Sequence, residues 1–121
     1  MAENKRRYRP LTQKTLFRQL RNDGRTIHVT SWMLVNWQMT ELEGVRCGWT
    51  IPGHVGTAVT RNRLKRWGRE FLRKWSEHHN LSLDLNIVMK RKKAGFYRSL
   101  SHEEFDFALS KMVQRIRSSS P

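Results

Sequence analysis

The chain has 121 residues, enough for one ordinary domain, and 37% of them are hydrophobic, so a core can form without disulfides or metals. Its 24 Lys and Arg against ten Asp and Glu leave a net charge of +14, which indicates a polyanionic partner because each neutralised phosphate releases condensed counterions. Five Trp exclude a purely disordered basic tail, since such tails lack the aromatic material of a core.

Other global features exclude further classes. The longest apolar run, Trp32-Met33-Leu34-Val35, is far shorter than the roughly 20 residues that cross a bilayer. The basic N-terminus lacks the apolar stretch of a signal peptide, so we expect a cytoplasmic protein without membrane association. Cys47 has no partner for an internal disulfide and lies in an apolar alternation, which favours a buried, reduced thiol. No Cys or His pairs recur at zinc-ligand spacing, so we expect no metal site in the protein.

The first third of the chain predicts a basic arm, a helix and two strands. Residues 1–10 have the composition of an extended arm, with cations at Lys5, Arg6, Arg7 and Arg9. Thr12 is the predicted N-cap of a helix that ends at Asn22-Asp23-Gly24. Apolar residues then alternate over residues 25–38, and Thr30-Ser31 can divide this stretch into two strands.

The rest of the chain predicts a strand, a long helix, another strand and a last helix. The alternation over residues 45–51 predicts a strand that Pro52-Gly53 ends. A helical segment, residues 56–75, separates it from a strand over residues 83–89. Residues 101–104 form a capping box before a helix with a regular apolar face, and residues 118–121 have the composition of a frayed end.

This order of elements, α-β-β-β-α-β-α, predicts an α/β (α+β) two-layer sandwich. We expect a small mixed sheet of about four strands packed with three helices. The sheet is expected to be mixed because a long helix lies between two of its strands, as in a crossover connection. No composition shift or linker divides the chain, so residues 1–121 are predicted to form a single domain.

The helical segment 56–75 has two distinct faces. At about 100° per residue, Leu64, Gly68 and Phe71 fall on one stripe. The opposite side carries Asn62, Lys65, Arg66, Arg69 and Arg73. A merely solvated helix mixes Glu with Lys, whereas the like-charge i,i+4 pairs here cost about 0.2–0.5 kcal/mol each. The single sign therefore favours an anionic partner, and Arg in particular suits bidentate contacts with phosphate.

These residues carry a resemblance to a known family. The motif Arg61-Asn62-Arg63-Leu64-Lys65-Arg66, followed by Arg69-Glu70 and preceded by Gly56-x-Ala58-Val59, resembles the RNR signature of the bacterial ribonuclease P protein subunit. The basic N-terminus, the turn at Gly24, the strand before the motif, the basic loop after residue 89 and the last helix also stand where that family has them. The resemblance covers residues 5–117.

The resemblance implies a left-handed crossover at the RNR helix, where general rules alone favour a right-handed one. It implies that the chain is the minor partner of a large catalytic RNA, in an endoribonuclease that cleaves the 5′ leader from precursor tRNA with RNA-bound Mg²⁺. The protein would then have no catalytic residue and need no obligate protein partner. The residues that this resemblance assigns to binding of the RNA subunit are Arg61, Asn62, Arg63, Lys65, Arg66, Arg69 and Arg73.

The family holds the single-stranded leader in a cleft, and aromatic stacking beside cations suits that task because every base has a π-face. The expected leader and precursor contacts are Phe17, Arg21, Trp32 and Arg46. Trp32 can equally be a core residue, as is expected of Trp49, Trp67 and Trp75. The loop residues Lys90, Arg91, Lys92 and Lys93 are either a solvated charge run or candidate phosphate contacts, and the strongly basic composition favours contacts.

The chain departs from the family pattern at three places. Pro52-Gly53-His54 stands where the family commonly has a Ser-Lys-Lys type stretch, which removes two cations from the edge that faces the leader. Arg21 replaces a second helical aromatic, and Val35 is matched to a strand tyrosine of many members. We therefore expect leader recognition to depend more on charge and less on stacking.

Two other functional classes are compatible with parts of this pattern. A ribosomal or assembly-type RNA-binding protein would share the charge but does not need the full RNR spacing. A protein-only nuclease is disfavoured, because the ten carboxylates do not form the spaced acidic set that two-metal phosphate chemistry requires.

Overall fold

The computed structural model describes residues 8–119, which form five strands, four α-helices and one 3₁₀ turn. In chain order they are β1 (Tyr8–Pro10), α1 (Lys14–Asp23), β2 (Arg25–His28), β3 (Met33–Met39), β4 (Val45–Thr50), the 3₁₀ turn (Gly53–Val55), α2 (Ala58–Glu77), β5 (Leu83–Met89), α3 (Phe96–Ser99) and α4 (His102–Ser119). Residues 1–7 of the predicted arm and residues 120–121 of the predicted tail lie outside the described residues.

The strands form one mixed sheet in the order β1-β4-β5-β3-β2. β5 is parallel to β4 and antiparallel to β3. Since α2 connects β4 to its parallel neighbour β5, the predicted helical crossover is confirmed, while its hand stays a prediction. The mixed α+β architecture is confirmed too, with five strands where about four were expected.

The additional strand is β1, which the composition had placed in an extended arm. It pairs in parallel with β4, with Tyr8 opposite Val45 and Pro10 opposite Cys47. Pro10 has no N–H to donate, which an edge strand tolerates. The backbone N–H of Leu11 then donates to the Cys47 carbonyl at 2.9 Å, and the Leu11 side chain is buried. The end of the basic N-terminal segment is therefore fixed beside β4.

Alternate residues of the sheet form its core face. Val35, Cys47, Leu85 and Ile87 are buried and belong to one hydrophobic cluster with residues of α2 and α4. The predicted burial of Cys47 is confirmed, and burial raises the pKa of its thiol well above the ordinary value. A thiol in this setting stays protonated and unreactive.

The opposite face of the sheet, here called the polar face, carries a ladder of hydrogen bonds across four strands. The Thr50 hydroxyl donates to Asn86 Oδ1 at 2.8 Å, and Asn86 Nδ2 donates to Asn36 Oδ1 at 3.2 Å. Asn36 Nδ2 donates in turn to Thr26 Oγ1 at 3.0 Å. Both Asn side chains are buried, so this ladder satisfies polar groups that would otherwise destabilise the fold.

The helix ends in the structure agree in part with those predicted from the sequence. The N-cap of α1 is Gln13 rather than Thr12, and no side chain caps this end. The capping box of α4 is confirmed, since Ser101 N–H donates to Glu104 Oε1 at 2.9 Å and Glu104 N–H donates to Ser101 Oγ at 3.0 Å. α4 extends to Ser119, whose hydroxyl donates to the Arg115 carbonyl at 2.9 Å, and fraying of the predicted tail stays a prediction.

Three tryptophans expected in the core lie at its rim. Trp49, Trp67 and Trp75 are half-buried and pack against the hydrophobic cluster. Trp67 stacks on His102 with 4.6 Å between ring centroids, and Trp75 stacks on His79 at 4.4 Å. The Trp67–His102 stack joins α2 to the start of α4, while the Trp75–His79 stack lies at the end of α2.

Gly68 allows α2 to approach β4. A Cβ added to Gly68 would lie 1.9 Å from Cη2 of Trp49, closer than two such atoms can stand. We expect Gly68→Ala to lower the free energy of unfolding by about 1–3 kcal/mol, the usual cost of overpacking, although Ala is the better helix former. Urea denaturation measures this change. The matched control is Gly53→Ala, where the added Cβ meets nothing within 4 Å, and equal stability of the two variants would contradict the packing account.

Candidate RNA interface

The basic face of α2 is defined here by Asn62, Lys65, Arg66, Arg69 and Arg73. It lies opposite the buried i,i+4 stripe of α2, and all its members are exposed except the half-buried Lys65. Within residues 8–119, no hydrogen bond or ion pair engages the side chain of Arg66 or Arg69. The face thus presents positive charge that this part of the chain does not compensate.

Arg63 and Arg61 of the RNR motif are turned toward the protein itself. Arg63 Nη2 donates to the backbone carbonyls of Tyr97 and Arg98, both at 3.1 Å, and its guanidinium carbon lies 4.9 Å from the Trp67 ring centroid. In this geometry the Arg63 side chain holds α3 against α2, while its assignment to RNA contact stays a prediction. Arg61 is half-buried, and its Nε donates to the Gly56 carbonyl at 3.2 Å.

The basic face continues toward the edge of the sheet. The guanidinium carbon of Arg73 lies 6.0 Å from the ring centroid of Tyr8 in β1. Burial raises the pKa of Tyr8 to about 12, although the nearby charges of Arg69 and Arg73 act in the opposite direction. The arginines of α2 therefore reach the strand that carries the basic N-terminal segment into the sheet.

A second candidate surface, here called the cleft, lies beside α1 on the polar face. The half-buried ring of Phe17 covers Gly48, where an added Cβ would lie 2.2 Å from Phe17 Cζ. Arg21 is exposed one helical turn after Phe17. The structure thus places these two predicted leader contacts next to each other. Pro52-Gly53-His54, where the chain departs from the family pattern, stands at the start of the 3₁₀ turn after β4. Gly53 and His54 are exposed.

The register of β3 places Val35 on the core face of the sheet. Val35 is fully buried on the core face, opposite Ile87, so its side chain does not belong to the cleft. The neighbouring Leu34 lies on the polar face, opposite Val88, and both are half-buried. Sequence reasoning missed Leu34 and Val88 as cleft residues, although their places in the alternation of β3 and β5 could have indicated them.

Trp32 is buried in the core, which is one of the two alternatives that the sequence left open, while its role as a leader contact stays a prediction. Its side chain is 8% exposed, and its ring lies 6.1 Å from the Phe96 ring, 6.2 Å from the Tyr97 ring and 6.1 Å from the Phe105 ring. Phe105 belongs to α4, so Trp32 packs on the side of the sheet away from Phe17. Stacking of Trp32 on a base would require the core to open.

Arg46 lies on the polar face as expected, but it is not a free cation. Its Nε and Nη2 donate to the two carboxylate oxygens of Asp84 at 2.8 and 2.7 Å. The Arg46 side chain is 21% exposed and that of Asp84 is 2% exposed. The pair is close to neutral as a unit and supports the sheet beneath the cleft, while the role of Arg46 as a leader contact stays a prediction.

The basic loop after β5 is ordered by contacts with β2 and the turn that follows it. Lys90 Nζ lies 3.0 Å from His28 Nδ1, and Lys92 Nζ donates to Ser31 Oγ at 3.4 Å. Arg91 and Lys93 are exposed. Lys90 follows Val88 on the same side of β5, so its ammonium group extends the polar face at the end of the cleft. Among the cations of this loop, Lys90 is the one best placed to contact a nucleic-acid strand in the cleft.

Between residues 8 and 119, no helix is both long and apolar enough to cross a membrane. The same residues contain no group of three or more His, Cys, Asp or Glu side chains that could hold a metal ion.

Titration of Tyr8 and Tyr97, the two tyrosines of the chain, tests the burial of their side chains. Burial raises the pKa of Tyr8 and of Tyr97 to about 12. These values lie above the ordinary pKa of about 10. The contribution of the two protonated tyrosines to the free energy of unfolding is therefore fully present below about pH 10 and is lost as the pH rises through about 12. Absorbance titration of the native protein should therefore show no phenolate near pH 10, whereas the urea-unfolded chain should ionise there. Native ionisation near pH 10 would contradict the buried placement.

Comparison with known proteins gives concordant matches. A family model described as Ribonuclease P matches residues 5–117. The ribonuclease P protein component of Desulfosudis oleivorans is 33% identical over 82 residues, which cover 68% of this chain and 67% of that protein. That of Desulforapulum autotrophicum is 30% identical over 111 residues, or 88% of this chain and 91% of that protein. The solved RNase P protein of Thermotoga maritima has the same fold, with a TM-score of 0.78 over 87% of this chain and 97% of that one at 21% identity.

Proposed function

Because this chain belongs to the ribonuclease P protein family, we propose that it is the protein subunit of a ribonuclease P ribonucleoprotein, which removes the 5′ leader from precursor tRNA. One observation carries this proposal: the basic face of α2 presents charge of one sign with no compensating partner in the described part of the chain. An RNA backbone supplies the opposite charge and accepts bidentate hydrogen bonds from Arg66 and Arg69.

The proposal divides the work between the two subunits. Mg²⁺ held by the RNA would supply an activated water and stabilise the leaving oxygen. This chain would bind and position the RNAs, with the basic face of α2 on the catalytic RNA and the cleft on the leader. Asn62, which is exposed between the arginines, would add a neutral donor and acceptor to the same contact.

The leader would lie in the cleft as an unpaired strand. Phe17 offers a ring for stacking, Arg21 offers a cation one helical turn later in α1, and Lys90 offers another at the end of the polar face. With Trp32 in the core and Arg46 paired to Asp84, the cleft has fewer stacking groups and fewer free cations than the sequence indicated. Arg21 and Lys90 become the charged groups on which leader affinity depends.

We expect Arg21→Ala and Lys90→Ala each to weaken binding of a leader-bearing precursor without changing binding of mature tRNA. Each lost phosphate contact should make the slope of log K against log salt concentration less steep by about 0.7, the value for single strands. Equilibrium binding by the assembled ribonucleoprotein at several salt concentrations measures this slope. Equal losses for precursor and mature tRNA would place these cations outside the leader site.

A binding experiment tests the proposal against the ribosomal or assembly-type alternative. The full chain is titrated with ribonuclease P RNA and with a ribosomal RNA fragment of equal length, at several salt concentrations. The proposal predicts preferential binding of ribonuclease P RNA that persists at the salt concentration where the ribosomal fragment dissociates. Equal affinity for both RNAs at every salt concentration would favour a general RNA-binding protein.

A further inference from the structure

A groove that belongs neither to the basic face of α2 nor to the cleft lies between the turn after β2, the segment before α4 and α4 itself. Its volume is about 710 Å³, and its lining includes Ser31, Lys93, Phe96, Phe107 and Lys111. The core residue Trp32 forms part of its floor. Since Trp32 packs on α4, the groove is on the side of the sheet away from Phe17 and the cleft.

Phe107 is the unusual residue of this groove. It is 66% exposed in α4, while its neighbours Phe105 and Ala108 are buried in the core. The packing of α4 therefore does not require an aromatic side chain at this position. The exposed ring instead lies in the lining of the groove, where a binding partner can reach it.

Two aromatic rings of the groove, Phe107 and Phe96, are each accompanied by a lysine. The ammonium group of Lys111 lies 5.6 Å from the Phe107 ring centroid, and that of Lys92 lies 5.4 Å from the Phe96 ring centroid. The exposed Lys93 adds a further cation to the lining. The one carboxylate in the lining, Glu104, already accepts a hydrogen bond from Ser101 N–H in the capping box. The groove therefore has aromatic surface and a net positive charge.

We infer that this groove binds unpaired nucleotides of the same RNA that contacts the basic face of α2. Rings accompanied by ammonium groups suit nucleobases joined by phosphates. The groove wall is continuous with the RNR motif, because Arg63 holds the carbonyls of Tyr97 and Arg98 at 3.1 Å. RNA held on α2 is thus next to the segment that forms this wall, whereas the leader in the cleft is on the other face of the sheet. The inference rests on the proposed function.

Binding of ribonuclease P RNA to the full chain tests this inference through paired variants. Phe107→Ala should raise the dissociation constant about ten-fold, whereas Phe107→Trp, which keeps a stacking surface, should stay within about two-fold of the wild type. Lys111→Ala should make the salt slope less steep by about 0.7. Leu42→Ala is the control, because Leu42 is another exposed apolar side chain, 48% exposed, in the loop between β3 and β4.

The position of the RNA is tested by placing a photocrosslinking phenylalanine analogue at residue 107 of the assembled ribonucleoprotein. We expect crosslinks to unpaired nucleotides of the catalytic RNA. Crosslinks only to precursor tRNA, or only to a second copy of the protein, would overturn the inference. Wild-type affinity of both Phe107→Ala and Lys111→Ala would overturn it as well. If the wild-type chain itself does not bind ribonuclease P RNA, the proposed function fails, which is a distinct result.

Discussion

The double variant Arg66→Ala/Arg69→Ala is expected to bind ribonuclease P RNA more weakly by about 2–6 kcal/mol, or about 1–3 kcal/mol for each lost charged contact. Both side chains are exposed on the basic face of α2, and neither has a hydrogen bond or ion pair within residues 8–119. Their removal should therefore leave the fold intact. It should also relieve like-charge repulsion along the helix, so the free energy of unfolding should stay constant or rise slightly.

Two control variants separate specific contact from general charge. Arg117→Ala removes an exposed cation from the last turn of α4 and should change RNA affinity little. Arg63→Ala should instead lower the free energy of unfolding, because it removes the donor to the carbonyls of Tyr97 and Arg98. Calorimetric RNA binding and urea denaturation measure the two effects. Wild-type affinity of the double variant would show that the RNA contacts another surface.

The largest effect on stability is expected for Arg46→Met, which should lower the free energy of unfolding by about 3–5 kcal/mol. The substitution leaves the Asp84 carboxylate, 2% exposed, without the two hydrogen bonds at 2.8 and 2.7 Å that now satisfy it. A buried charge without a partner is far more costly than the loss of a surface ion pair. Urea denaturation at neutral pH measures this change.

The second variant for this pair is Arg46→Met/Asp84→Asn. The neutral amide should recover a large part of the lost stability, because it removes the unpaired charge while keeping the shape of the side chain. If the double variant is no more stable than Arg46→Met, the destabilisation comes from lost packing of Arg46 rather than from the charge of Asp84. If Arg46→Met is as stable as the wild type, the structural role given to this pair is wrong.

The elements that could be predicted from the sequence are those with a clear local signal. The alternation of β4 and β5, the two faces of α2 and the capping box at Ser101 and Glu104 depend on residues close together in the chain. β1 could not be predicted in this way. It has three residues, includes Pro10 and exists only because β4 offers a free edge.

The site was predictable where it depends on one helix and not where it depends on distant partners. The single-sign face of α2 follows from helical geometry alone. The roles of Arg46 and Arg63 are decided by groups 38 and 34 residues away in the chain, Asp84 and the Tyr97 carbonyl. Whether Val35 faces the core or the polar face depends on where β3 begins and how it pairs, since a shift of one residue moves a side chain to the other face of a strand.

The most direct test of the central claim is cleavage of precursor tRNA by ribonuclease P RNA at low Mg²⁺ concentration, with and without the chain. The account predicts rapid release of the 5′ leader only when RNA and chain are combined, and slow release when Arg66→Ala/Arg69→Ala replaces the wild type at the same concentration. Failure of the wild-type chain to promote cleavage would contradict its assignment as the protein subunit. Cleavage by the chain in the absence of the RNA would contradict the assignment of the chemistry to the RNA.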